Sequence, residues 1–145
     1  MESYWADELN LKYDDYKKLH LDGKCNLGIP NDVAQQISDM NLNPKGSGTG
    51  MAMKFWNFAG FAAFGYSIYL SFTWEWWAFI PGFFVMGFIF NVNKKSNSEN
   101  VLNDALQNEE FYDELMKINS IRVQIDEDIA EKYLKNSKLK TQINE

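Results

Sequence analysis

A single cysteine, a single histidine and a single arginine in 145 residues leave little material for several common chemistries. Cys25 cannot close a disulfide within the chain, which fits a reducing compartment for the segment that carries it. Its neighbour Lys24 could lower the thiol pKa, but a buried, inert thiol is the expectation. His20 alone cannot build a His-rich metal site or a Ser-His-Asp arrangement within one subunit, and it reads as flanking a helix. With one arginine and a formal charge of −6, the chain is a poor neutraliser of phosphates. Nucleic acid and broad adhesion to anionic lipid are therefore not expected partners. The N-terminus has no basic stretch followed by an apolar run, so no cleavable signal peptide is expected. Gly46-Ser47-Gly48-Thr49-Gly50 lacks the Lys-Ser/Thr ending and flanking strand of a phosphate loop. No catalytic, cofactor-binding or metal site is expected, and the chain reads as a non-enzyme.

The middle of the chain has almost no charge. Residues 55–72 carry none, and after Thr73-Trp74-Glu75 residues 76–92 carry none. The mean hydropathy of −0.39 hides this, because it averages an apolar centre with two polar, acidic flanks. At 1.5 Å rise per residue, about 18 residues reach across most of a hydrocarbon core. Both runs are apolar on every face, a pattern of burial in lipid or in a large core, and too little apolar sequence remains to build such a core. The few residues between the runs permit an antiparallel helix pair. Pro81 falls in the first turns of its helix, where a missing N–H costs least. Trp56 near one end and Trp74, Trp76 and Trp77 at the turn read as membrane-interface anchors. Lys45, Lys54, Lys94 and Lys95 flank the pair while the turn has neither Lys nor Arg, which places both tails in the cytoplasm. No charge lies within either span to carry a proton or ion relay. Ala59, Ala63, Ser67 and Ser71 recur every fourth residue and form a small-residue ridge, which would seat the second helix against Gly82 and Gly87, form an oligomer interface, or line a mildly polar pore through Ser67 and Ser71.

Residues 1–42 predict a helix from Ser3 to Leu21 stopped by Gly23, a turn or short extended link over 24–30, and a second helix capped by Asn31 with Val33, Ile37 and Met40 inward. Residues 43–54 read as a flexible linker. Two such helices hold too little core to stand alone and should pack on the other tail, a second copy or a partner. Ser96-Asn97-Ser98-Glu99 has capping-box spacing and predicts the start of a long amphipathic C-terminal helix over 93–145, with a break near Asn119. Leu102, Ala105, Leu106, Tyr112, Leu115 and Met116 make one apolar stripe. Ile118, Ile121, Ile125, Ile129 and Tyr133 make another, read as a surface for interaction. The acidic clusters of this tail read as a solvated face.

The fold class expected is thus an all-α membrane protein, a two-span transmembrane helical hairpin with helical tails, in a bacterial inner membrane. The lipid bilayer is one partner, and a second copy or a protein held by the C-terminal tail is the other. The functional expectation is an anchored, oligomeric interaction or adaptor protein. Its alternatives are a pore-forming effector and an accessory subunit of a larger complex. The layout is shared with one class of phage holins in topology, not in residues, and holin tails tend to be short and basic where these are long and acidic.

Overall fold

A computed structural model describes residues 2–6, 8, 9 and 12–134. In chain order the elements are β1 (Glu2–Trp5), α1 (Tyr13–Leu21), β2 (Cys25–Gly28), α2 (Asn31–Asp39), α3 (Thr49–Thr73), a single 3-10 turn (Trp76–Ala78), α4 (Phe79–Gln107), α5 (Glu109–Lys117) and β3 (Arg122–Ile125). Residues 127–134 are again helical. The protein is mostly helical, with one small sheet.

That sheet joins the two tails. Its order is β1-β3-β2 and both pairings are antiparallel, so the C-terminal strand lies between the two N-terminal ones. Val123 is the register partner of Tyr4 on one side and of Leu27 on the other. Along β3 the side chains alternate, Val123 and Ile125 buried, Arg122 and Gln124 exposed, as a strand with one covered face requires. The covered face carries Cys25, Leu27, Val123 and Ile125, and packs with Tyr16, Ile37, Phe111, Tyr112 and Leu115 into one core. Neither tail holds enough apolar material for this core by itself. The Tyr16 hydroxyl donates to the Ala6 carbonyl (2.5 Å), and the Tyr13 hydroxyl to the Leu106 carbonyl (2.5 Å). We call this unit the head.

Helix ends in the head have identifiable stops. After α1, Gly23 takes φ +67° and Lys24 N–H donates to the Leu19 carbonyl; after α5, Asn119 takes φ +51° and Ser120 N–H donates to the Leu115 carbonyl. Both are left-handed closures that Gly and Asn tolerate best. The side chain of Asn108 caps α5 by accepting from Phe111 N–H (3.1 Å).

From the head, α3 and α4 run side by side in opposite directions. Met53 and Asn57 lie level with Asn93, Gly60 with Phe90, and Ser67 with Gly82. Helix α4 is unbroken over 29 residues, roughly 43 Å at helical rise. Its first half pairs with α3, and its second half places Val101 and Ala105 in the head core.

Several expectations change. The all-α fold gives way to helices plus a sheet. The helix expected from Ser3 to Leu21 is strand β1 followed by α1, because Tyr4 packs on the head core while Trp5 lies opposite Arg122. No helix starts at Ser96: α4 passes through it, since Asn97 is consumed by contacts with α2. The long C-terminal helix is instead the end of α4, then α5, then β3. Asn31 is the first residue of α2 and Pro30 the cap position, and Met40 is exposed. The linker expected over 43–54 ends early, with α3 starting at Thr49. Residues 135–145 of the expected tail helix lie outside the described residues.

Candidate functional site

Above the head, the hairpin turns its large apolar side chains outward. Phe58, Phe61, Tyr66, Tyr69 and Phe72 of α3 and Phe83, Phe84 and Phe88 of α4 are exposed. The segment Trp76–Gln107 is long and apolar enough to cross a membrane, and only 11% of its most apolar window is buried within the molecule. Among the described residues it is the one helix that is both long and apolar enough; α3 is not. A soluble monomer rarely exposes a continuous apolar surface beyond a few hundred Å². Here large rings stand exposed around the hairpin on both helices, while the head buries Tyr16, Phe111 and Tyr112.

The expected anchors sit at the two edges of this collar. Trp74, Trp76 and Trp77 are exposed at the turn around Glu75, and Trp56 is half exposed at the head end. Antiparallel pairing brings Lys54 and Lys94, forty residues apart in sequence, to the same level beside Trp56. Lys54 Nζ also donates to the Asn41 side chain of the head (2.8 Å).

Between the helices runs a narrow seam. Met53, Gly60 and Ser67 are buried on α3, with Asn57, Phe64 and Ser71 half-buried in the same line; Gly82, Asn93 and Asn97 are buried on α4. Steps alternating between four and three residues keep such a seam facing its partner along both helices. Of the expected ridge, Ser67 lies in the seam against Gly82, Ser71 is half-buried, and Ala59 and Ala63 flank it half-buried. Gly87 faces outward and open, a correction to its expected packing role. A Cβ on Gly60 would come within 2.6 Å of the Phe90 ring, and one on Gly82 would overlap the Ser67 side chain, so both glycines mark close helix approach. The Ser67 hydroxyl donates to the Phe64 carbonyl (2.7 Å) and the Ser71 hydroxyl to the Ser67 carbonyl (3.0 Å).

At the head end the seam becomes polar. Asn93 Nδ2 donates to the Met53 carbonyl (2.9 Å) and to Asn57 Oδ1 (2.8 Å). One turn on, Asn97 Nδ2 donates to the Ala34 carbonyl (2.9 Å) while its Oδ1 accepts from Ser38 (2.9 Å), and the Ser98 hydroxyl donates to the Ile29 carbonyl. Buried amides bonded across elements in this way fix one register, because any slip leaves several polar groups unsatisfied. The glycine loop ends here as well: Gly46 and Gly48 adopt positive φ, and Thr49 at the start of α3 donates to the Asp104 carboxylate of α4 (2.7 Å). The carboxylate lies at the electropositive end of α3, where an anion is stabilising. Sequence reasoning missed Asn57, Asn93, Asn97 and Ser38. The usable signal was Gly82, Met86, Ile89, Asn93 and Asn97, which repeat in steps of four and three across the polar boundary.

The interaction stripe assigned to the C-terminal tail is dispersed. Ile121 and Ile125 are buried in the head, Ile129 and Tyr133 pack partly against it, and Ile118 is exposed. These residues belong to a turn, a strand and a helix and share no helix face, because β3 inserts into the sheet. Burial pushes the Cys25 thiol up to about 11, so it stays protonated at neutral pH. Burial, then the neighbouring Tyr16 and Cys25, push Tyr112 well above the ordinary phenol range. His20 Nδ1 lies 3.3 Å from the Cys25 carbonyl at the end of α1. Among the described residues no group of three or more His, Cys, Asp or Glu side chains is placed to hold a metal ion. Neither the family models, nor the characterised proteins, nor the solved structures compared with this chain match it, so its function is read from geometry.

Proposed function

We propose that the chain is a non-enzymatic membrane protein whose α3–α4 hairpin crosses the bilayer twice and holds the head at the cytoplasmic face of an inner membrane. There the head serves as an anchored interaction module. One observation carries this reading: a collar of exposed phenylalanines and tyrosines surrounds the hairpin over the stretch between the lysines and the tryptophan turn. The 18 residues from Phe55 to Phe72 give roughly 27 Å of helix, close to the hydrocarbon thickness of a bilayer. Lys54, Lys94 and Lys95 support the cytoplasmic side for the head, and the Trp-Glu-Trp-Trp turn is then external.

Since Ile121 and Ile125 are spent inside the head, partner binding is assigned to the outer surface of the head. Self-association belongs to the lipid-facing surface of the hairpin, where Gly65 and Gly87 leave open backbone. The alternatives, a pore and an accessory subunit, make different demands. A pore wall through Ser67 and Ser71 is disfavoured, because both hydroxyls are bonded to their own helix and Ser67 is closed against Gly82.

The test is topological. In a Cys25→Ala background, Glu75→Cys and Lys45→Cys are expressed separately and treated on intact cells with a membrane-impermeant maleimide. Labelling at 75 and protection at 45 until the membrane is opened is expected. Equal labelling of both, or a protein that is monodisperse without detergent or lipid, overturns the two-span reading.

A further inference from the structure

The outer face of the head sheet carries a polar arrangement that the hairpin does not use. Strand register sets Ser3, Gln124 and Asn26 in one row and Trp5, Arg122 and Gly28 in the next. Arg122, the only arginine of the chain, stands on the central strand, and its guanidinium lies 4.5 Å from the centre of the Trp5 ring. Ring contact fixes where the guanidinium sits while leaving its N–H groups unspent. Among the described residues Arg122 has no hydrogen-bond or ion-pair partner. The Glu8 carboxylate accepts from the Trp5 backbone N–H (3.2 Å). Gly28, across the register from Arg122, leaves the space beside it open. The result is a shallow cavity of about 340 Å³ lined by Arg122, Gln124, Asn26, Ser3 and the Gly28-Ile29-Pro30 rim.

We propose that this cavity binds a carboxylate. A guanidinium with its position set presents two parallel N–H donors, the geometry that matches the two oxygens of a carboxylate. The amides of Gln124 and Asn26 and the Ser3 hydroxyl add uncharged donors, and among the described residues no carboxylate lines the cavity. In a protein of net charge −6 the attraction is local, which suits one carboxylate at a fixed point rather than adhesion to an extended anionic surface. The carboxylate belongs to a free organic acid or to an acidic side chain or C-terminus of a partner peptide. The site is independent of the membrane reading and stands or falls without it.

The lone arginine makes the test specific. The full-length protein labelled with 15N, in detergent micelles, gives one Arg Nε–H resonance. It is titrated with acetate, with a short peptide ending in a free carboxylate, with the same peptide amidated, and with inorganic phosphate, each against chloride at equal ionic strength. A saturable shift with acetate or the free-acid peptide, and none with chloride or the amidated peptide, is expected. The peptide binding at least about tenfold tighter than acetate assigns the site to a protein partner; equal affinities assign it to a free acid. Arg122→Lys keeps the charge but loses the fork, and should weaken binding about tenfold when read at the Asn26 and Gln124 amides. No saturable shift, full binding in Arg122→Lys, or a preference for phosphate overturns the proposal.

Discussion

Gly82 is the sharpest place to test whether the hairpin seam is packed as described. Gly82→Ala adds one methyl group, which would overlap the Ser67 side chain directly and has no free space to occupy. Either Ser67 must change rotamer and abandon its bond to the Phe64 carbonyl, or the helices must part. Overpacking of this kind costs about 1–3 kcal/mol. At roughly 2–4 °C per kcal/mol for a chain of this size, the melting midpoint in a mild detergent should fall by several degrees. Ser67→Gly removes the obstructing group. In that background Gly82→Ala should cost less than about 0.5 kcal/mol, leaving a coupling of about 1–2 kcal/mol between the sites. Near-UV circular dichroism of the four proteins reports this, since Trp76 and Trp77 lie one to two turns from Gly82. Two results would refute the packing: Gly82→Ala melting with the wild type, or an unchanged cost in the Ser67→Gly background. Gly87→Ala, facing outward with open space, should leave the melting midpoint of the monomer unchanged and act only on self-association.

Further outcomes follow from other parts of the molecule. Phe84, midway along residues 76–92 and exposed, should not tolerate lysine: insertion should lose about 2.5–3.5 kcal/mol, seen as a fall in the alkali-resistant membrane fraction. A Phe84→Lys protein that stays in the membrane fraction undiminished would count against lipid exposure of that face. Asn97→Leu leaves the Ala34 carbonyl and the Ser38 hydroxyl without their partner, and should destabilise the head by about 2–4 kcal/mol in urea unfolding. Because Ser38 also accepts from Asn43 Nδ2 (3.1 Å), the double variant with Ser38→Ala should lose less than the sum of the two single losses, though not less than Asn97→Leu alone. Cys25 gives a pH dependence with a definite sign. Its thiol is raised in the folded state, so between pH 9 and about 11 the unfolded chain releases its proton first and stability falls as pH rises. Below pH 9 the group contributes no slope. Cys25→Ala should flatten the melting curve over that window, and an unchanged slope would show that other groups cause it.

How much of this was legible beforehand depends on where the physics is local. The uncharged runs at 55–72 and 76–92, the tight turn and the flanking lysines are properties of short segments, and they mark a helical pair. Left-handed stops at Gly23 and Asn119 are equally local, a matter of which residues tolerate positive φ. Strand β1 was not legible. Ser3 to Trp5 continue a plausible helical stripe into α1, and only pairing with a strand 117 or more residues away makes them extended. The capping-box spacing at Ser96 misled for a similar reason. A cap bonds only where a helix begins, and packing against α2 carries α4 straight through that point.

Composition alone therefore marked the contrast between the parts: an apolar centre whose one charge is Glu75 at the turn, and polar, acidic flanks. Local rules added the helix pair and most of its stops. What only the tertiary structure decided is that the flanks are one unit, since a three-stranded sheet with its middle strand from the far end of the chain cannot be read from any window of sequence. It also decided which small and polar residues form the seam, because Gly82 against Ser67 and Asn93 against Asn57 are facts about two helices at once. Hydrogen bonds and close packing between distant residues are satisfied jointly or not at all, so neither partner announces the contact by itself.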